Sequence, residues 1–102
     1  MLNLFRRGTA ATPGLEARFT PAPHVTSTRE GDRTVLLDHQ GGAYFGLDEV
    51  GTRVWDLLGG GATLAEVADA LAAEYDAPVD VLRRDTQQLV SRLRGSGLVV
   101  DG

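Results

Sequence analysis

Side chains that commonly carry catalysis are few in this chain of 102 residues, and they are scattered along it. The two histidines, His24 and His39, are well separated, and Asp38, next to His39, would point to the opposite face of a strand. There is no cysteine, which excludes a thiol nucleophile and a cysteine-based zinc site. None of the serines stands in a nucleophile-elbow motif; they are Ser27, Ser91 and Ser96. We therefore predict no catalytic residue, no metal site, no cofactor, and a protein that is not an enzyme.

Arginine supplies all the strongly basic side chains, and acidic residues outnumber it. Ten arginines stand against 14 acidic residues, which gives a formal net charge of −4. The first 22 residues carry Arg6, Arg7 and Arg18 against Glu16, a balance of +2, which leaves −6 for residues 23–102. An acidic body repels polyanions, so the charge argues against nucleic acid as the main partner.

The sequence also indicates the cellular compartment in which the protein acts. No apolar run approaches the roughly 20 residues that a membrane helix needs. The first stretch, MLNLFRRGTAATPG, has no long apolar segment before a cleavage site. We expect a cytoplasmic protein with no membrane partner.

The chain divides into an arm and one domain. Residues 1–22 predict a flexible arm, because prolines and glycines interrupt them without any sustained periodicity. Residues 23–102 predict a single small domain. The domain opens with three strand patterns separated by glycine-containing turns, at residues 24–29, 33–39 and 43–47. These patterns predict a three-stranded antiparallel meander.

Three helical segments follow the strands. Asp48 is predicted to cap the first, Thr63 and Glu66 to form the capping box of the second, and Asp76 to cap the third just before Pro78. The apolar stripe of the third segment consists of Leu82, Thr86, Leu89, Val90 and Leu93. Strands followed by helices predict an α+β fold. A hairpin beside the second and third helices makes the outline a winged helix-turn-helix.

A winged helix-turn-helix can bind DNA through its third helix. That segment carries residue types that contact bases and phosphates, namely Arg83, Arg84, Gln87, Gln88, Arg92 and Arg94. Asp80 and Asp85 lie among them, and the wing carries Asp38 rather than a basic cluster, so the charge pattern disfavours DNA. A DNA-binding regulator is the alternative hypothesis.

The third predicted strand has no clear partner later in the sequence. An edge strand exposes every second N–H and C=O, and an added peptide strand can satisfy them. Residues 43–46 carry no charge that would discourage such pairing. The competing interpretation is that Tyr44 and Phe45 belong to the core and that the third helix covers the edge. From composition alone, both interpretations stay open.

From roughly residue 25 to residue 99, the chain resembles the PqqD-like domains that recognise the leaders of ribosomally made, modified peptides. The resemblance lies in the order and spacing of short motifs: Val35-Leu36-Leu37-Asp38, Gly42, Tyr44, Leu47-Asp48, Gly51, Val54-Trp55, Leu57-Leu58, Gly61, the Thr63 capping box, Asp85, Leu89-Val90, Leu93 and Gly97-Leu98-Val99. Asp48 stands where the family usually has asparagine. Thr86 and Gln87 replace residues that are more often aliphatic.

The resemblance implies a winged helix-turn-helix that binds no DNA. It implies that a precursor leader adds as a strand to the third strand, with apolar leader side chains in the cleft beside the third helix. Within the family, the chain is most similar to the free-standing subunit that serves a separate cysteine-protease leader peptidase in lasso-peptide maturation. The original PqqD, which presents its peptide to a radical enzyme, is the nearest alternative. The expected peptide-binding residues are Ala43, Tyr44, Phe45, Gly46, Leu47, Leu82, Arg83, Asp85, Thr86, Leu89 and Val90. We expect a monomer or a weak homodimer.

Overall fold

Three antiparallel strands precede three helices along the chain, and a second, smaller sheet joins the two ends of the described part. The structure is a computed structural model that describes residues 12–102. In chain order the elements are β1 (Phe19–Pro21), β2 (Val25–Glu30), β3 (Arg33–Asp38), β4 (Tyr44–Leu47), α1 (Glu49–Gly59), α2 (Leu64–Tyr75), α3 (Val79–Gly95) and β5 (Val99–Asp101). The predicted α+β fold, a three-stranded antiparallel sheet followed by three helices, is confirmed.

The turns of the β2-β3-β4 sheet depend on glycine. Gly31 (φ 65°) turns the chain between β2 and β3, and Gly42 (φ 74°) turns it between β3 and β4. Residues with a Cβ rarely adopt this conformation. The second turn sets a register in which Leu36 of β3 lies opposite Phe45 of β4.

Side chains cap the N-termini of the first two helices, as predicted. The Gly51 N–H donates to Asp48 Oδ1 at 2.8 Å at the start of α1. In the capping box of α2, the Glu66 N–H donates to Thr63 Oγ1 at 3.1 Å, and the Thr63 N–H donates to Glu66 Oε1 at 2.8 Å. Both caps satisfy backbone donors that a helix leaves unpaired at its first turn.

The predicted cap of the third helix is wrong. Asp76 ends α2 instead, in a left-handed conformation with φ of 51°. Pro78 is the residue before α3, which begins without a side-chain cap. Aspartate tolerates the left-handed region better than most residues, because its short polar side chain bonds locally. Asp76 therefore acts as a stop signal for α2.

The core lies between one face of the three-stranded sheet and the helices. Its largest fully buried side chains include Leu36 of β3, Leu58 of α1, Leu64 and Leu71 of α2, and Leu93 of α3. Burying each such side chain stabilises the fold by roughly 1.5–3 kcal/mol. The sheet and all three helices are therefore held in one unit, which fixes the position of β4 relative to α3.

Residues 12–22 pack as part of the domain, which corrects the predicted arm for that segment. β1 pairs antiparallel with β5, with Phe19 opposite Asp101. Phe19 is 2% exposed and Ala22 is 1% exposed, and Gln87 Nε2 of α3 donates to the Pro13 carbonyl at 2.9 Å. A single buried phenylalanine gives no periodic pattern, so the sequence did not indicate this strand. Residues 1–11 of the predicted arm lie outside the described residues.

Candidate functional site

β4 forms one margin of the three-stranded sheet, and no strand within residues 12–102 pairs with its outer edge. The Asp38 N–H donates to the Ala43 carbonyl at 3.0 Å, and paired residues alternate along an antiparallel ladder. The backbone groups of Phe45 therefore point toward β3, whereas those of Tyr44 and Gly46 point outward. An extended peptide lying along β4 would meet the N–H and C=O groups of both outward-facing residues.

The side chains of β4 alternate between two faces of the sheet. Phe45 is half-buried and Leu47 is 4% exposed on the helix face, which Ala43 shares at the start of the strand. Tyr44 lies on the opposite face and is 76% exposed. This outer face consists of Tyr44 and Gly46 of β4 with their partners Leu37 and Val35 of β3. The predicted peptide-binding residues of the strand are thus divided between two surfaces.

An open groove of about 570 Å³ lies where β4, the start of α1 and α3 meet. Its apolar lining consists of Val35 of β3, Phe45 and Leu47 of β4, Val50 of α1 and Leu89 of α3. The exposed charged side chains along it include Glu30, Arg33 and Arg92. An open strand edge with an apolar groove beside it can bind an extended peptide by its backbone and by alternate side chains.

Three of the six predicted α3 residues face the core rather than the groove. Leu82, Thr86 and Val90 recur at every fourth position and are 9%, 2% and 0% exposed. Leu89 lies about 100° around the helix from Val90, and there it is half-buried and lines the groove. The groove wall is therefore the flank of α3 and not its buried face, so of Leu82, Thr86, Leu89 and Val90 only Leu89 lines it.

The two predicted charged residues of α3, Arg83 and Asp85, lie at different distances from the groove. The Arg83 guanidinium lies 3.9 Å from the carboxylates of Asp69 in α2 and of Asp80 in α3, and Arg83 is not part of the groove lining. Asp85 lines a second depression, of about 520 Å³, that shares Leu89 with the groove. Asp85 is therefore placed beside the groove, and Arg83 is not.

Sequence reasoning missed several groove residues, among them Val50, Gly51 and Arg92. Gly51 is buried in the first turn of α1, where a Cβ would lie 3.3 Å from Leu47 Cβ. The glycine therefore lets α1 approach β4 closely, and the Leu47-Asp48…Gly51 motif carries that signal in the sequence. Arg92 was predicted only as a nucleic-acid contact.

Asp38 holds the hairpin that presents β4. Its Oδ1 accepts hydrogen bonds from the backbone N–H groups of Gln40 and Gly41, at 2.9 and 3.0 Å. These two bonds, that of Gly41 above all, hold the pKa of the Asp38 carboxyl below its ordinary value, with a smaller contribution from His24. The charged form of Asp38 is thus favoured in the fold, and it fixes the turn that leads into β4.

The histidines take part in contacts at the sheet. His39 Nε2 lies 2.9 Å from Thr26 Oγ1, and His24 Nε2 lies 3.7 Å from Asp38 Oδ1. Among the described residues, no three side chains of metal-binding type come together. None of the helices within residues 12–102 has the length and apolar character needed to span a bilayer.

Relatives of known family and structure match most of the chain. Residues 33–99 match the family model described as Coenzyme PQQ synthesis protein D (PqqD). The structure of TbiB1 in complex with the TbiA(beta) leader peptide is 38% identical, with a TM-score of 0.75 over 78% of this chain and 93% of that one. A lasso peptide synthetase B1 complexed with the leader peptide is 28% identical, with a TM-score of 0.77 over 82% and 99%. No curated protein sequence matches. This chain belongs to the PqqD family.

Proposed function

We propose that this chain binds the leader region of a ribosomally synthesised precursor peptide, of the lasso class, by adding the leader as a strand to β4. The observation that carries the proposal is the open edge of β4 with an apolar groove beside it. Two structural relatives described as leader-peptide complexes support it. In this proposal the chain performs no chemistry itself and acts in the cytoplasm, where a ribosomal product is first available.

Backbone and side chains have separate tasks in this mechanism. Each hydrogen bond to Tyr44 or Gly46 nets only about 0.5–1.5 kcal/mol and carries no sequence information. Selection comes from leader side chains buried in the groove against Phe45, Val50 and Leu89, each worth roughly 1.5–3 kcal/mol when fully buried. Two or three of these, less the cost of ordering the leader, give an affinity in the micromolar to high-nanomolar range.

Delivery to an enzyme is the second part of the proposal. The partner is a separate cysteine-protease leader peptidase or another maturation enzyme, which supplies a catalytic group that this cysteine-free chain lacks. Holding the leader near that enzyme raises the effective concentration of the reacting bond. The chain thereby accelerates a step that it does not perform.

The alternative hypothesis, a DNA-binding regulator, gains no support. The structural relatives are described with leader peptide. Arg83, one of the candidate base-reading residues, lies next to Asp69 and Asp80, which lowers its capacity to attract a phosphate backbone.

A titration with a fluorescent leader peptide tests the groove. One probe is the TbiA(beta) leader, and a second is the leader of any precursor peptide that is found encoded near the gene for this chain. Leu89→Gln should weaken binding by about tenfold, because it places an amide in the apolar wall. Val81→Gln is the matched control, since Val81 is 39% exposed on α3 and is not part of the groove lining. Equal affinities for the two variants would contradict a leader site in this groove.

Two variants at Tyr44 test strand addition. Tyr44→Pro and Tyr44→Thr both remove the ring, but only proline also removes the outward N–H, and edge strands tolerate proline. The proline variant should bind the leader more weakly than the threonine variant, while circular dichroism shows that both remain folded. Duplex DNA titrated in parallel should show no salt-sensitive binding; such binding without leader binding would favour a regulator.

A further inference from the structure

A strand added to β4 must present side chains to both faces of the sheet, because side chains alternate along any extended strand. One set enters the groove beside Phe45 and Leu89. The other set lies on the outer face, beside Tyr44 and Gly46, whose backbone groups point toward the guest. The groove therefore accounts for only part of the leader side chains in the paired segment.

The outer face has a notch at Gly46. A Cβ built there would meet no atom within 4 Å, so the space above the backbone is open. The side chain of Tyr44, two residues earlier on the same face, is 76% exposed. Val35, the β3 partner of Gly46, lies partly exposed behind it. Both Gly46 and Val35 also line the groove, so the notch is continuous with it around the edge of β4.

Neither packing nor backbone conformation within residues 12–102 requires glycine at this position. The φ of Gly46 lies outside the left-handed region that favours glycine, and an added Cβ would meet no atom within 4 Å. Glycine weakens a strand, and within strands it often marks the close approach of a ligand or another backbone. The absence of a side chain at Gly46 therefore costs strand stability without serving the fold itself.

We propose that this notch is a second specificity subsite, which takes one bulky apolar side chain, aromatic or branched, from the leader residue that lies beside Gly46. The inference rests on the proposed function, because it requires a guest strand on β4. The guest side chain lies across Gly46, covers Val35 and contacts the flank of the Tyr44 ring. Cross-strand contacts between aromatic and β-branched side chains stabilise a pair of strands. Gly46 is thus a specificity-determining residue on the sheet face opposite the Phe45 and Leu47 side chains.

Filling the notch tests the proposal. Gly46→Val keeps the backbone N–H and C=O of this position but occupies the space that the guest side chain needs. We expect leader affinity to fall by about tenfold or more, with the melting temperature unchanged or raised, because valine favours strands. Thr28→Val is the control, since it places valine on the same face in β2, which β3 and β4 separate from the guest, and it should leave affinity unchanged.

A second measurement identifies the contact. An alanine scan of the leader should find one outer-facing residue whose replacement weakens binding to the unaltered chain by about tenfold and to Gly46→Val by less than about twofold. Gly46→Ala, a smaller change, should give an intermediate loss even if the valine variant folds poorly.

The outcomes separate this inference from the proposed function. If Gly46→Val and Gly46→Ala bind the leader as tightly as the unaltered chain while Leu89→Gln still weakens binding, the notch has no role and leader binding stands. If the unaltered chain binds neither leader probe, both proposals are overturned.

Discussion

Thr86 brings a hydroxyl group into the core of the domain. The residue is 2% exposed, and its Oγ1 finds no hydrogen-bond partner among residues 12–102. A buried hydroxyl without a partner opposes folding, because it gives up hydrogen bonds to water. Thr86→Val, nearly the same in shape, should therefore raise the free energy of unfolding by about 1 kcal/mol, as measured by urea denaturation.

Thr52 supplies the control for this prediction. It is 4% exposed in α1, and its hydroxyl donates to Thr34 Oγ1 at 2.9 Å, which joins α1 to β3. Thr52→Val is the same chemical change at a hydroxyl that has its partner, so it should lower the free energy of unfolding by about 1 kcal/mol. Shifts of equal sign in the two variants would contradict the assignment of Thr86 as the unsatisfied group.

Single residues also show where prediction from sequence stops. The caps at Asp48 and Thr63 are local, since each needs only the next three residues, and the sequence predicted both. Which side of α3 forms the groove is not decided by neighbouring residues in the sequence. Leu89 and Val90 are adjacent apolar residues, and only their packing partners decide which one is buried. Both residues were predicted to contact the leader, whereas Val90 is 0% exposed in the core.

At the scale of elements, the β3–β4 hairpin decides whether β4 is presented as an edge. Asp38 holds its turn as the charged carboxylate, and the hydrogen bonds from Gly41 and Gln40 hold its pKa below the ordinary value in the folded state. A group with a lowered folded pKa contributes stability that is present above its unfolded pKa, about 3.9, and is lost as pH falls through the folded pKa. The hairpin should therefore loosen in acid, below about pH 4.

Asp38→Asn tests this pH dependence. At pH 7 the variant should unfold at a lower urea concentration than the unaltered chain, because the neutral amide accepts weaker hydrogen bonds than a carboxylate. The difference should shrink as pH falls below about 4. Asp32→Asn, in the turn between β2 and β3, controls for the loss of one negative charge. A difference between Asp38→Asn and the unaltered chain that stays constant from pH 7 to pH 3 would contradict the role given to the Asp38 carboxylate.

Elements that pair across a long stretch of sequence were harder to predict than local ones. The meander and the three helices follow from periodicity and turn residues that lie close together in the chain. The pairing of β1 with β5 joins Phe19 to Asp101, and neither strand is longer than three residues. No local pattern distinguishes such strands from irregular chain, so the segment before residue 23 was predicted to be an arm.

At the scale of the whole molecule, the edge that is proposed to receive the leader can also receive a second copy of this chain. Open strand edges pair with one another, and a twofold dimer would align β4 with its symmetry mate. The formal net charge of −4 opposes such association, so we expect only weak dimers at high protein concentration. Both modes of pairing need the outward groups of Tyr44 and Gly46, and they must therefore exclude each other.

Leader peptide should then shift the population toward monomers, since ligand that binds only the monomer draws the equilibrium by mass action. Analytical ultracentrifugation at rising protein concentration, with and without saturating leader, measures the effect: the weight-average mass should fall to one protein chain plus one peptide. Tyr44→Pro, which lacks one outward N–H, should show weaker self-association even without peptide. A leader-saturated species that contains two protein chains would show that self-association uses a surface other than β4 and that the two modes of pairing are independent.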